Sequence, residues 1–173
     1  AMKSVLESLR LITKNNLILV FGAGGDRDKG KRKLMRDIAK YFANLVIVTD
    51  DNPRYEDPKN IRDQLMIDTD NFIEIPDRFE AIKYAITKLK RGDNLIICGK
   101  GHEDYMLYKD AKIFFSDQQA VKTILNLWVI MKDNYRIKLD FNISNFIRII
   151  DGTVNSAIKE NKCVLSLDTR NLQ

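Results

Sequence analysis

Three short, unbroken apolar runs constrain this chain more than any other feature: Leu17-Ile18-Leu19-Val20-Phe21, Leu45-Val46-Ile47-Val48 and Leu95-Ile96-Ile97-Cys98. A run of that length without polar alternation marks a strand covered on both faces, as in a parallel sheet packed between helices. The segments between the runs have helical spacing. Val5, Leu6, Leu9 and Ile12 share one helical face, and so do Leu34, Met35, Ile38, Ala39 and Phe42. Asp57-Pro58 reads as an N-cap followed by proline at the first position of a helix reaching about Met66. Asp77 and Glu80 have the spacing of a capping box and open a helix with the face Phe79, Ile82, Ala85, Ile86 and Leu89, ended by Gly92. Phe72 to Ile75 and Lys112 to Phe115 read as further short strands. Ser116 with Gln119 caps a last helix carrying Val121, Ile124, Leu125 and Trp128. The alternation predicts an α/β fold, a mostly parallel Rossmann-like sheet with helices on both faces.

The texture changes after about Met131, so the chain divides into a domain over 1–131 and a linker with a stub over 132–173. The second part reads as a short helix from Ser144 to Ile150 and a strand from Val164 to Leu167, too little to bury a core by itself.

Composition narrows the function classes. No apolar run approaches the ~20 residues that cross a bilayer, and the N-terminus has no leader pattern. Cys98 and Cys163 make neither a disulfide framework nor a metal site, so a cytoplasmic, reducing setting is expected. The net charge of +5 comes from 29 basic against 24 acidic residues, mostly interspersed. Its densest cluster, Lys29-Gly30-Lys31-Arg32-Lys33, suits one anionic ligand or a solvated face as well as a polyanion. Nucleic acid is therefore not the expected partner. A non-catalytic module binding phosphate or nucleic acid is the alternative from another class.

The predicted topology puts three loops, 22–30, 49–56 and 99–105, at the carboxyl ends of three strands, where open α/β sheets bind ligands. In the first, Gly25 to Lys31 has phosphate-loop spacing, but Arg32 stands where a hydroxyl would hold magnesium. Arg27 likewise replaces the third glycine of a dinucleotide fingerprint. Asp26, Arg27 and Asp28 must pair with each other or with a ligand. In the second loop, Asp51-Asn52-Pro53-Arg54, the guanidinium can grip a carboxylate bidentately. Asp51 and Asn52 can accept from an ammonium or stiffen the turn. The third, Gly99-Lys100-Gly101-His102-Glu103-Asp104-Tyr105, lets backbone approach a ligand at its glycines and offers Glu103 to an ammonium. His102, the single histidine, is more readily a hydrogen-bonded loop residue than a base, and Ser116 a cap rather than a nucleophile. No catalytic residue and no metal site emerge. The pocket is one for a small zwitterion.

Gly24-Gly25-Asp26-Arg27-Asp28-Lys29-Gly30-Lys31-Arg32, Asp51-Asn52-Pro53-Arg54, Gly99 to Tyr105 and Ser116-Asp117 stand in the order and spacing of one family. Over about residues 1–126 the chain resembles the C-terminal domain of the Mur ligases that add meso-diaminopimelate to a peptidoglycan precursor. The resemblance implies an ATP-dependent amide ligase. ATP phosphorylates the D-glutamate carboxylate of UDP-N-acetylmuramoyl-L-alanyl-D-glutamate, the diaminopimelate amine attacks, and phosphate leaves. It implies that Arg27 and Arg54 clamp a diaminopimelate carboxylate, that Asp51, Asn52 and Pro53 shape the turn around it, and that the Gly99 carbonyl and Glu103 hold the distal ammonium. ATP and Mg2+ are then bound mainly by a central domain that this chain lacks, along with the N-terminal domain, and the chain alone is expected to be inactive. Ala1-Met2-Lys3 matches the middle of the helix after the domain's first strand, so that strand is expected to be missing, and Lys33 replaces a usual proline. From about Phe141, Ile149-Ile150-Asp151-Gly152 and Leu165-Ser166-Leu167-Asp168-Thr169-Arg170 resemble the opening of the next Mur ligase, which adds D-alanyl-D-alanine. A fused or disrupted gene pair, or a degraded remnant, would account for such a junction.

Overall fold

A computed structural model describes residues 2–100, 103–134, 147–149 and 165–168. Each apolar run is a strand: β1 is Leu17–Phe21, β2 Leu45–Val48 and β4 Asn94–Cys98, with the short β3, Phe72–Glu74, between the last two. Helices fill the intervals: α1 Met2–Ile12, α2 Gly30–Phe42, α3 Pro58–Met66, α4 Arg78–Lys88 and α5 Asp117–Asn134. Strands β1 to β4 are parallel in the order β3-β2-β1-β4, in register Val20 with Ile47 on one side and with Ile97 on the other. The expected α/β architecture is therefore the one observed.

Alternation along β1 divides the core in two, because successive side chains leave opposite faces of a strand. Leu17, Leu19 and Phe21 pack with residues of α1, α2 and α3, including Leu6, Leu9, Ala39, Ile61 and Leu65. Ile18 and Val20 pack with residues of α4 and α5, including Ile82, Ala85, Val121 and Ile124. Two of the predicted caps form. The Asp57 carboxylate accepts from the Lys59 amide at 2.9 Å and the Asp77 carboxylate from the Glu80 amide at 2.8 Å.

The chain runs outward from β1 to β3 and returns to β4 on the other side of β1. That reversal opens a crevice at the carboxyl ends of β1 and β4, the position favoured for ligands in such sheets. A separate antiparallel hairpin of β5, Tyr105–Tyr108, and β6, Ala111–Phe114, stands beside it.

Several local expectations need correction. Helix α4 ends at Lys88 with Leu89 extended; Gly92, at φ +86°, turns the chain into β4 instead. On α2, Leu34 points to solvent and Arg32 goes inside, while Ile12 of α1 is half exposed. Strand β5 was not anticipated. The expected helix over Ser144 to Ile150 is replaced, where the structure describes it, by strand β7, Ile147–Ile149. It pairs antiparallel with β8, Leu165–Asp168, which in turn pairs antiparallel with β4. Gly101, His102, Cys163 and the Ile150-Asp151-Gly152 motif lie outside the described residues. None of the described helices is long and apolar enough to cross a membrane.

Candidate functional site

The loops after β1, β2 and β4 meet. The Gly25 amide donates to the Asn52 carbonyl at 3.0 Å, and Arg54 Nη1 donates back to the Gly25 carbonyl at 2.8 Å and to that of Asn52 at 3.3 Å. A Cβ on Gly25 would overlap the Pro53 carbonyl oxygen, and one on Gly99 (φ +120°) would overlap Asp51 Oδ2. Gly25 lets backbone close on backbone and Gly99 lets the chain close on the Asp51 carboxylate, rather than forming an open cradle for phosphate.

Two residues of the second loop are held in the left-handed region, Asn52 at φ +44° and Arg54 at φ +53°. Such conformations cost of order 1–3 kcal/mol and persist only where the surroundings over-determine them. Here the hairpin does so. Asn52 Oδ1 accepts from the Leu107 amide at 2.9 Å while its Nδ2 donates to Glu103. The Arg54 amide donates to the Leu107 carbonyl at 2.9 Å, and its carbonyl accepts from the Lys109 amide at 2.6 Å. Asn52 thus links the second loop, the third loop and β5, with its carboxamide committed to the protein.

Beneath this surface lies a layer of buried charge. Arg78 forks onto Asp117 (Nε to Oδ1 2.7 Å, Nη2 to Oδ2 2.9 Å) and also donates to the carbonyls of Cys98 and Asp50. Arg62 donates to Asp50 and to Glu74, and Tyr108 donates its phenol proton to the other Asp50 oxygen at 3.1 Å. Arg32 forks onto Glu56 at 2.8 and 3.0 Å and reaches Gln64 at 3.1 Å. The hydrogen bond from Arg32 holds the Glu56 carboxyl down at about 2. Asp51 is buried behind Gly99. Burial pushes its carboxyl up, opposed by the nearby cations Arg78 and Lys100. Lys100 is itself buried, donating to the Tyr105 carbonyl, and burial pushes its ammonium down against the pull of Asp51.

Sequence reading missed this layer. Arg62, Arg78, Lys100 and Tyr108 carry no local signal of it, since Arg78 simply follows a cap and its partner Asp117 lies 39 residues on. Asp117 and Lys100 stood within quoted motifs but without assigned roles.

The residues singled out beforehand fall into two groups. Asp51, Asn52 and Pro53 are buried in the turn. Arg27, Arg54, Gly99 and Glu103 lie at its exposed or half-exposed rim. From the point where a Gly24 Cβ would sit, Arg54 Nη1 is 3.0 Å away and Arg27 Cγ 3.6 Å, so the two arginines flank one glycine. Among the described residues neither has a carboxylate within ion-pair distance. Asp26 and Asp28, expected to pair with each other, with Arg27 or with a ligand, accept backbone amides here, from Tyr55 at 3.2 Å and Gly30 at 2.9 Å. Arg32 belongs to Glu56 and is withdrawn from the Lys29–Lys33 cluster.

The same geometry tests whether this chain could hold a nucleotide and its metal. The glycine turn is filled by the 50–54 loop, and the position a magnesium-binding hydroxyl would take is a buried, paired arginine. Among the described residues no group of three or more His, Cys, Asp or Glu side chains is placed to hold a metal ion. The glycine turn does not fit ATP phosphates or their Mg2+.

Residues 1–101 match the family described as Mur ligase, glutamate ligase domain. The chain is 46% identical over 125 residues to the UDP-N-acetylmuramoyl-L-alanyl-D-glutamate--2,6-diaminopimelate ligase of Agrobacterium fabrum, covering 72% of this chain and 26% of that one. It is 52% identical over 124 residues to the ligase of the same name from Rickettsia bellii, covering 69% and 26%. A solved structure of a ligase of that name superposes with a TM-score of 0.70 at 40% identity, over 74% of this chain and 27% of that chain. This chain spans about a quarter of the length of the relatives it matches. With more than half its residues matched and its fold shared with a solved member, the chain belongs to the Mur ligase family, within the part called the glutamate ligase domain.

Proposed function

We propose that this chain is the amino-acid-binding domain of an ATP-dependent ligase that joins meso-diaminopimelate to UDP-N-acetylmuramoyl-L-alanyl-D-glutamate in peptidoglycan synthesis. One observation carries the reading: Arg27 and Arg54 flank Gly24 at the mouth of the crevice with no carboxylate among the described residues to neutralise them, and Glu103 is tied to the same turn through Asn52. Meso-diaminopimelate is an amino acid with a second zwitterionic end. Its distal carboxylate would lie between the two arginines and its distal ammonium against Glu103 and the Gly99 carbonyl. Asp51, Asn52 and Pro53 hold the turn that aims these groups. Lysine lacks the second carboxylate and would leave a guanidinium facing nothing, forfeiting charged hydrogen bonds worth roughly 1.5–3 kcal/mol each.

In this reading the chain binds and orients the attacking amine, and activation of the D-glutamate carboxylate belongs to the remainder of the full-length enzyme, where ATP and Mg2+ would be held. The binding residues all fall within 1–131, and 132–173 would be a linker and stub whose strand β8 pairs with β4. A cytoplasmic location goes with the UDP-linked precursor.

Calorimetric titration of the 173-residue chain tests the assignment directly. Meso-diaminopimelate is expected to bind and lysine to bind markedly more weakly; equal affinities would overturn it. No ligase turnover is expected from the chain alone, so ATP-dependent tripeptide formation by it would refute the division of labour.

A further inference from the structure

We propose that Tyr108 is a positioning residue for Arg54, and that through Arg54 it sets the preference of the site for an amino acid with a second carboxylate; this rests on the role given to Arg54 above. Arg54 pairs with Tyr108 in an isolated parallel bridge. The residues on either side of Tyr108 clasp residue 54 at both its amide and its carbonyl, through the Leu107 carbonyl and the Lys109 amide. That clasp holds a non-glycine residue at φ +53° and so determines where the guanidinium begins.

The clasp is only as well placed as the hairpin that carries it. A two-stranded hairpin is marginal by itself, and all of β6 is exposed. The hairpin is moored to the body by buried Met106, by the Asn52 carboxamide on the Leu107 amide, by the Tyr55 phenol on Asp110, and by the Tyr108 phenol on Asp50. Tyr108 is the mooring that joins the clasp to the sheet. Its backbone faces Arg54, while its side chain reaches a carboxylate two residues beyond β2 that Arg62 already fixes. Removing the phenol oxygen leaves the ring in place and leaves Asp50 paired with Arg62. What is lost is the side-chain constraint that ties Tyr108 itself to the end of β2, one of those that set where β5 lies and therefore where Arg54 points.

The substitution Tyr108→Phe in the 173-residue chain separates this from a general structural role. Affinity for meso-diaminopimelate is expected to fall about tenfold, with little change for lysine, because lysine has no carboxylate for Arg54 to hold. Hydrogen exchange at the Arg54 and Lys109 amides should accelerate. Tyr55→Phe, which cuts a different mooring of the same hairpin, should leave the ratio of the two affinities unchanged. Equal losses for the two amino acids would reduce Tyr108 to a packing residue and overturn the proposal. If the unsubstituted chain binds neither amino acid, the assigned substrate fails, and exchange alone decides the positioning: unchanged protection at Arg54 and Lys109 in Tyr108→Phe overturns that as well.

Discussion

Two layers of arginine lie at the carboxyl end of this sheet, and they contrast in what neutralises them. Arg32, Arg62 and Arg78, at 2%, 6% and 3% exposure, each face one or two carboxylates of the protein. Arg27 and Arg54, nearer the surface, meet none among the described residues; Arg54 donates only to backbone carbonyls there. A charge taken out of water must be paired where it lies or it is prohibitively costly. The lower layer therefore acts as struts that tie the loop after β2, and β3, to helices α2, α3, α4 and α5. The upper layer stays near solvent, where a ligand can supply the missing counter-charge. One side-chain type thus serves as the struts below and, in the function proposed above, as the contact surface over them.

The contrast can be attacked at its strongest point first. Arg78→Met leaves Asp117 buried without a partner and should destabilise the fold by about 3–5 kcal/mol in denaturant unfolding. A loss below about 1 kcal/mol would put the pair among surface ion pairs and erase the distinction. Gly25→Ala presses on the seam between the layers, since the added methyl must displace the Pro53 carbonyl. A stability loss of about 1–3 kcal/mol is expected, together with weakened diaminopimelate binding; a silent substitution would show that the loops are not locked together.

Arg54→Lys addresses the upper layer. In the ligase proposed above it should lower kcat/KM for diaminopimelate by about tenfold or more, because an ammonium cannot reproduce a bidentate fork. The unfolding midpoint should stay near its original value. A shift comparable to that of Arg78→Met would make Arg54 another strut.

The smallest effect concerns acid. Glu56 sits at about 2 in the folded chain, held down first by its hydrogen bond from Arg32, against an ordinary value of 4.5. Its folded value is depressed, so its contribution is fully present above 4.5 and is lost as pH falls towards about 2. Unfolding measured across that window should show a decline that Glu56→Gln flattens. An unchanged slope would mean that Arg32 draws little from its partner.

Much of the frame was legible beforehand because it is encoded locally. Unbroken runs such as Leu17–Phe21 are strands since only a doubly covered strand needs no polar face. Asp57 and Asp77 are caps since each satisfies an amide two or three residues away. The convergence of the three loops followed from strand order. What escaped reading depends on remote partners. Arg32 displaces Leu34 from the interior because Glu56 and Gln64 wait on another segment. Strand β5 exists by pairing with β6 and by grasping Arg54, about fifty residues earlier. Ile147–Ile149 has a helical look in isolation but is drawn into a strand by Leu165 to Leu167.

By itself the sequence determined the alternating elements, the places where the chain turns, and the three loops that hold the motifs of a Mur ligase. These depend on periodicity, caps and glycine, which act over a few residues. Only the tertiary structure decided which arginines are struts and which, among the described residues, meet no carboxylate. A guanidinium's role is set by the charges it meets in space, and those come from segments dozens of residues away.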